Sequence, residues 1–485
     1  MTSKNTKTMN QSVLVVLTML STGNLASAFV TPSSGKMMQA MTTAKSRQYS
    51  LLATAEDEQK FDEFLAKNEL KRAVDVFKSY PDLELTRDRW NSIFDTIEEV
   101  TTDAEEINMN KRMEGETKLL SKSRRDMTDM YTALKNQGEL RLFGAINKEN
   151  MPANGSHSVQ PTMLEQISSV SLDQLTPKPS NTMLFAGISL ATLEAIISGV
   201  YGIDLNFLFF ATIIASLGDR ILLNGAISET FLKTISPKTQ PKITRHEAGH
   251  FLCAYLLGCP VEGYVLSAWA ALKDPRFGSR AVSAGTSFFD PALSAQIEST
   301  KITRSSIDRY SVIVMAGIAA EALNYGQADG GAGDEAALIT FLANLNGPPS
   351  ATPAWNDITI RNQARWGALQ AVLMLKEYKE CYDALVDALE RGGSLGDCIY
   401  AIENAGRIHN KVPLQKPLGY ILEKETDEEW VTELPQSETA QEAVVQKAEP
   451  AKPMDAAESL ETLKELKELA QQRVKEIEEK LEKLR

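Results

Sequence analysis

His246, Glu247 and His250 stand in the string His-Glu-Ala-Gly-His, and that spacing constrains the chain more than any other feature. Positions i and i+4 of a helix lie one above the other on the same face, so a helix here stacks two imidazoles. Two imidazoles so placed can bind one tetrahedral zinc ion, and Glu247, beside His246, can reach a water on that ion. Zinc lowers the pKa of such a water toward neutrality, and a nearby carboxylate can take its proton as it attacks a peptide carbonyl. Chance explains the string poorly. The chain has only four histidines, and a random match is expected on the order of a few times per thousand such chains. The competing reading is a core helix with hydrogen-bonded histidines, but two buried histidines beside a glutamate are costly without a partner such as a metal.

The helix itself is well signalled. Pro241 sits just upstream, Thr244 is a candidate N-cap, and Phe251, Leu252, Tyr255, Leu256 and Leu257 carry an apolar run to Gly258 and Pro260. Thr244 and Glu247 also fit a capping box, which would tie Glu247 to backbone rather than to catalysis. Cys253 shares the face of His250 and reads as a small buried thiol rather than a ligand.

A zinc site needs a third ligand. The extension of the motif by a glycine and a third histidine fails, because Cys253 and Leu256 occupy those places. The following stretch, 264–271, contains no acid. Downstream, the apolar pattern from Met315 through Glu321 to Tyr325 ends at Gly326, a turn with Gly330, Gly331 and Gly333 follows, and Asp334 opens the next helix. A carboxylate at a helix N-terminus is held by free N–H groups and the helix dipole. That placement suits either a metal ligand or an ordinary helix-capping aspartate.

These three motifs together resemble the peptidase domain of FtsH-type zinc metalloproteases. The resemblance rests on His246–His250, on Ala-Gly-x-Ala-Ala-Glu at 316–321 and on Gly-Gly-x-x-Asp at 330–334, and it covers roughly Ile243 to Gly406. It implies a mainly α, helical zinc-metallopeptidase domain over 240–406, with His246 and His250 as ligands, Glu247 as base and Asp334 as third ligand. Counting from Glu321, the family's usual register falls on Glu335, which is held in reserve. FtsH proteases also carry an ATPase module, and no Gly-x-x-x-x-Gly-Lys-Ser/Thr phosphate loop occurs here; the only Gly-Lys is Gly35-Lys36. The chain is therefore most similar to the short plastid members that lack the ATPase. Unfolded or damaged plastid proteins are the implied substrates, with any unfoldase supplied by a separate ATPase or FtsH-type subunit.

The first 55 residues contain no Asp or Glu. Lys4 and Lys7, the apolar run Val13–Leu20 and Ala26-Ser27-Ala28 read as a signal peptide over 1–28. Phe29 then opens a Ser/Thr-rich stretch, 29–55, which resembles the transit segment of a bipartite leader to a complex plastid. Four cysteines without tight spacing fit a plastid better than a secreted disulfide framework. Loss of the leader's five basic residues would take the net charge from −13 to about −18, which disfavours nucleic acid as a partner.

Amphipathic periodicity predicts a helical N-terminal region over 56–146, followed by a Ser/Pro/Thr-rich linker over 147–182 that holds His157 in solvent. The apolar stretch 183–223, interrupted by Glu194 and Asp204, is read either as a pair of buried helices or as a candidate transmembrane hairpin, or one tilted span, at a thylakoid or envelope membrane. Further helices are predicted over 358–378, 381–389 and 395–403, and His409 is read as a loop residue. Residues 425–457 form a second linker. Over 458–485, Leu460, Leu463, Ala470, Val474, Ile477, Leu481 and Leu484 make a heptad seam, interrupted by Lys467, that offers an oligomerising coiled coil or else an amphipathic helix lying on its own domain. The expectation is a zinc-dependent metalloendopeptidase without its own ATPase. Its rivals are an inactive FtsH-like scaffold or assembly subunit, and a soluble metal-binding assembly factor in which Glu247 is dispensable.

Overall fold

Helical periodicity dominates the chain, and the computed structural model is mainly α-helical. It describes residues 54–110, 118–147, 150–154, 157–178, 181–222, 226–228, 230, 239–277, 284–299, 301–346, 354–414, 420–421 and 431–433. The signal-peptide reading at 1–28 and the coiled coil at 458–485 lie outside the described residues, as do the transit segment 29–55 up to residue 53 and most of the 425–457 linker.

The charged N-terminal pattern forms four helices, α1 (Ala55–Ala66), α2 (Leu70–Ser79), α3 (Arg87–Asn110) and α4 (Lys118–Gln137). A capping box between Thr54 and Asp57 starts the first of them. Their apolar stripes bury Phe61, Phe77, Trp90, Phe94 and Tyr131 in a core that runs on without a break into the residues after 240. The stretch expected as a linker carries two short helices, α5 (Pro161–Ser168) and α6 (Leu172–Leu175). Pro161 stands in the first turn of α5, where its missing N–H costs nothing, and a capping box of Ser171 with Gln174 opens α6. His157, expected in solvent, is held instead. Its Nε2 lies 3.0 Å from Asp308 Oδ1, and its ring centroid is 4.4 Å from that of Trp366.

Helices α7 (Asn181–Tyr201) and α8 (Leu205–Leu222) pack against each other as a hairpin turned at Gly202, whose φ is +68°. Asp204 caps α8 by accepting from Asn206 N at 2.7 Å and Phe207 N at 3.2 Å. Among the described residues no helix is long and apolar enough to cross a membrane, which corrects the expectation of a membrane-spanning hairpin. The polar interruptions are accommodated inside the chain: Glu194 is buried and accepts the Thr212 hydroxyl of the facing helix. Asp219 accepts from Ile227 N and Ser228 N.

The centre of the fold is a pair of long helices, α9 (Thr239–Leu256) and α12 (Arg304–Tyr325). Between them in sequence lie β2 (Val261–Val265), α10 (Ala268–Lys273), β3 (Gly285–Phe288), α11 (Pro291–Glu298) and β4 (Lys301–Thr303). After them come α13 (Ala332–Asn344), α14 (Asp357–Glu377), α15 (Lys379–Glu390) and α16 (Leu395–Ile408). Three small two-stranded sheets complete the described structure: β2 with β3 antiparallel, β4 with β6 (Val431–Glu433) antiparallel, and β1 (Ala153–Asn154) with β5 (Tyr420–Ile421) parallel.

The N-terminal helices brace the centre at two places. Gly144 N and Ile146 N donate to the carbonyls of Tyr255 and Leu256 at 3.0 and 2.9 Å, satisfying groups that the end of α9 would leave open. Fully buried Glu262, on β2, pairs with Arg124 of α4 and accepts from the Ser287 hydroxyl of β3 at 2.7 Å. Burial alone would raise the Glu262 pKa, but Arg124 outweighs it and holds the carboxyl below its usual range. Arg276 adds Glu98 and Asp274 to this network. A buried pair of this kind is worth little net stability, yet breaking one partner strands a charge. The sheet is thereby fixed beside α9.

Candidate metal centre

Helix α9 already includes Thr239, five residues before the expected N-cap at Thr244. Pro241 is tolerated in the first turn, and Thr244, already inside the helix, returns its hydroxyl to Gln240 O at 3.1 Å. The capping box with Glu247 is therefore absent. Glu247 instead accepts from the Thr286 hydroxyl of β3 at 2.9 Å, which frees it from the backbone and fixes the carboxylate. Cys253 is fully buried, as expected of a packing thiol, and burial pushes its pKa up.

Small residues bring α9 and α12 together. A methyl group on Gly249 would stand 2.5 Å from Ala316 O and 2.9 Å from Ala320 Cβ, so only glycine permits this approach. The contact lays the backbone of Gly317 directly beneath the two imidazoles. A methyl there would stand 2.5 Å from His250 Nε2 and collide with His246 Nε2, filling the space toward which both rings point. The Ala-Gly-x-Ala-Ala pattern is thus a packing device that leaves room in front of the histidines.

Helix α12 ends at Gly326 (φ +75°), and a turn through Gly331 (φ +84°) starts α13, with Asp334 in its first turn as expected from the sequence. The turn returns Asp334 to the histidines. His246 Nε2 lies 2.9 Å from Asp334 Oδ2, His250 Nε2 lies 3.5 Å from it, and the two Nε2 atoms are 3.1 Å apart. A tetrahedral ion with bonds near 2.0–2.1 Å sets its ligands about 3.3 Å apart, so the three edges match one metal. His246, His250 and Asp334 form a group that could hold a metal ion; Glu335 is not part of it.

The donor chemistry makes the same point. His250 Nδ1 donates to Ile313 O at 2.7 Å, and His246 Nδ1 donates to Glu321 Oε1 at 2.8 Å. Because those partners only accept, each neutral ring carries its lone pair on Nε2. Two lone pairs on buried rings and the half-buried Asp334 carboxylate then face one another, an arrangement that favours a cation. Without a metal a proton fills that role. Burial would lower the pKa of His246, but Asp334 and Glu321 override it and push it up to about 10. Burial likewise opposes the upward shift of His250, which Asp334 drives. For Asp334 the attraction of His250 and His246 overcomes burial and holds the carboxyl well below its ordinary value.

Glu247 differs from Asp334. It is buried, and desolvation raises its pKa even though His250 and His246 pull it down. A carboxylate with a raised pKa beside a cation site is a better proton acceptor at neutral pH than an ordinary surface glutamate. His409 caps α16 on the surface, away from the group, as the sequence suggested. Thr286, Gly317 and Glu321 escaped the sequence reading as functional positions. For Gly317 and Glu321 the signal was present, because the Ala-Gly-x-Ala-Ala-Glu string marks a close helix contact followed by an acid. Thr286 carried no local signal.

Comparison with family models, with curated proteins and with solved structures gives no match for this chain. What fold and site together define is a mainly helical protein in which two buried histidines and a half-buried aspartate could hold a metal ion.

Proposed function

We propose that this chain is a zinc-dependent metalloendopeptidase, acting on unfolded or damaged plastid proteins without an ATPase module of its own. The observation that carries the reading is the convergence of His246 Nε2, His250 Nε2 and Asp334 Oδ2 on one point, with the buried carboxylate of Glu247 on the same helix. Zinc bound there would supply a Lewis acid that polarises a carbonyl and acidifies water. Glu247 is the general base, oriented by Thr286, and it returns the proton to the leaving amine. His246, His250 and Asp334 would hold the ion, and the tautomers of the two histidines are preset by Glu321 and Ile313 O. The purified chain is expected to carry about one zinc and to cleave an unfolded protein such as casein without ATP. A chelator should remove both properties, and added zinc should restore both. A chain that binds no metal, or whose casein cleavage survives chelation, refutes the reading.

Lipid contact is proposed on a separate observation. Large apolar side chains stand exposed on more than one side of each helix of the α7–α8 hairpin: Ile188 and Leu193, five positions apart on α7, and Phe207 and Phe209, two positions apart on α8, are each about half exposed or more. A partner groove would cover one stripe, whereas an apolar solvent covers all of them. Glu194 turned inward onto Thr212 keeps the one acid of α7 away from such a solvent. The chain should therefore float with phosphatidylcholine vesicles in a density gradient, and Phe207→Asp with Phe210→Asp should leave it at the bottom. Wild-type protein that stays at the bottom excludes lipid contact through this hairpin.

A further inference from the structure

Glu321 lies on α12, is 4 % exposed, and makes three bonds with two parts of the metal group. Its Oε1 accepts from His246 Nδ1 at 2.8 Å. Its Oε2 accepts from the backbone N–H groups of Asp329 and Gly330 at 2.8 and 3.0 Å. Those two residues belong to the turn that delivers Asp334, four residues beyond Gly330. A methyl on Gly330 would stand 2.6 Å from Glu321 Oε1, so the glycine is what lets the turn close over the carboxylate. The same turn is held from α9 by the ion pair of Lys242 with Asp329.

We propose that Glu321 is the positioning residue of the metal site, a single carboxylate that sets the tautomer of His246 and anchors the turn carrying Asp334. The inference rests on the metal reading and extends it to a residue that touches no metal. Its physical basis is that one ionised carboxylate offers two oxygens that only accept. A glutamine cannot reproduce this. Its carbonyl oxygen can serve the turn, but its NH2 group then faces His246 Nδ1 and favours the tautomer with hydrogen on Nε2, which removes the lone pair meant for the ion. If the amide flips, His246 is served and the turn loses its anchor. Either way two of the three ligands are no longer held together.

The test uses the full chain, with Co²⁺ as a coloured probe metal, in wild type, Glu321→Gln and Glu335→Gln. Affinity is read by competition with a chelator, and ligand geometry by the visible absorption bands of bound Co²⁺. Glu321→Gln is expected to weaken Co²⁺ by about 10–100-fold, the usual effect of removing a partner behind a metal ligand, and to shift the bands. Glu335→Gln should match wild type in both. Wild-type affinity in Glu321→Gln overturns the proposal. So does weakened binding with wild-type bands, which would mean general loosening rather than misplaced ligands. If wild type itself takes up no Co²⁺ or Zn²⁺, the metal reading fails, and this inference goes with it.

Discussion

Replacing Glu247 with glutamine should leave the metal in place and lower casein cleavage by about 10²–10⁴-fold, the range typical of a lost general base. In free energy this is about 3–5 kcal/mol of transition-state stabilisation. The variant is a clean probe for three reasons visible in the structure. Glu247 is not one of the three grouped ligands, so metal content is not expected to fall. Its carboxylate accepts from the Thr286 hydroxyl, a bond that glutamine Oε1 can also accept, so the side chain keeps its place. Burial already disfavours its charged form, so a neutral amide does not cost the fold a favourable charge. Zinc analysis and initial rates on the same preparations decide the matter. Equal rates in wild type and variant would transfer support to the metal-binding scaffold, in which the glutamate has no proton to move. Activity that appears only after an ATPase partner is added keeps the protease and makes that partner part of its mechanism.

The parts of this molecule legible in the sequence are those whose physics is local. The i, i+4 pair of histidines, the glycine stop at Gly326 and the acid in the first turn of α13 all depend on residues within a few positions, and each was found where expected. The start of α9 was misplaced for the same reason in reverse. Thr244 carries a good N-cap signal, but the turn before it is held by Gln240 on Leu266 O and by Lys242 on Asp329, tertiary contacts that outweigh a cap worth about 1 kcal/mol. His157 was expected in solvent because its neighbours are polar, yet Asp308 and Trp366, far along the chain, decide its surroundings. The same holds for Thr286, whose bond to Glu247 spans 39 positions, and for Arg124 with Glu262, which spans 138. Long-range pairings leave no periodic trace. The Ala-Gly-x-Ala-Ala-Glu string is intermediate: it signals a close helix contact, but only the coordinates show that Gly317 clears the space before the histidines and that Glu321 reaches both His246 and the glycine turn.

Asp334→Asn should cost the site most of its metal affinity, whereas Glu335→Gln should change it by no more than about 0.5 kcal/mol, as for a side chain outside the group. The two acids are adjacent, and register counted from Glu321 alone favours the second. Geometry favours the first, because Asp334 Oδ2 completes the triangle with both Nε2 atoms. Asparagine keeps the size but removes the charge that the two imidazoles and a dication share, and its NH2 group can face the ion only unfavourably. The affinity should also depend on pH with a definite sign. In the metal-free chain His246 is held protonated up to about 10, above the 6.5 of an unperturbed histidine. A metal must displace that proton, so binding releases protons and tightens as pH rises through the neutral range. Stability of the metal-free chain runs the other way. A raised pKa contributes stability that is fully present below 6.5 and is lost as pH rises toward 10. Chelator competition at several pH values, with thermal unfolding of the stripped protein alongside, reads both slopes. Metal affinity that is flat with pH, or a Glu335→Gln variant weaker than Asp334→Asn, would mean that the ion is held by a different set of atoms.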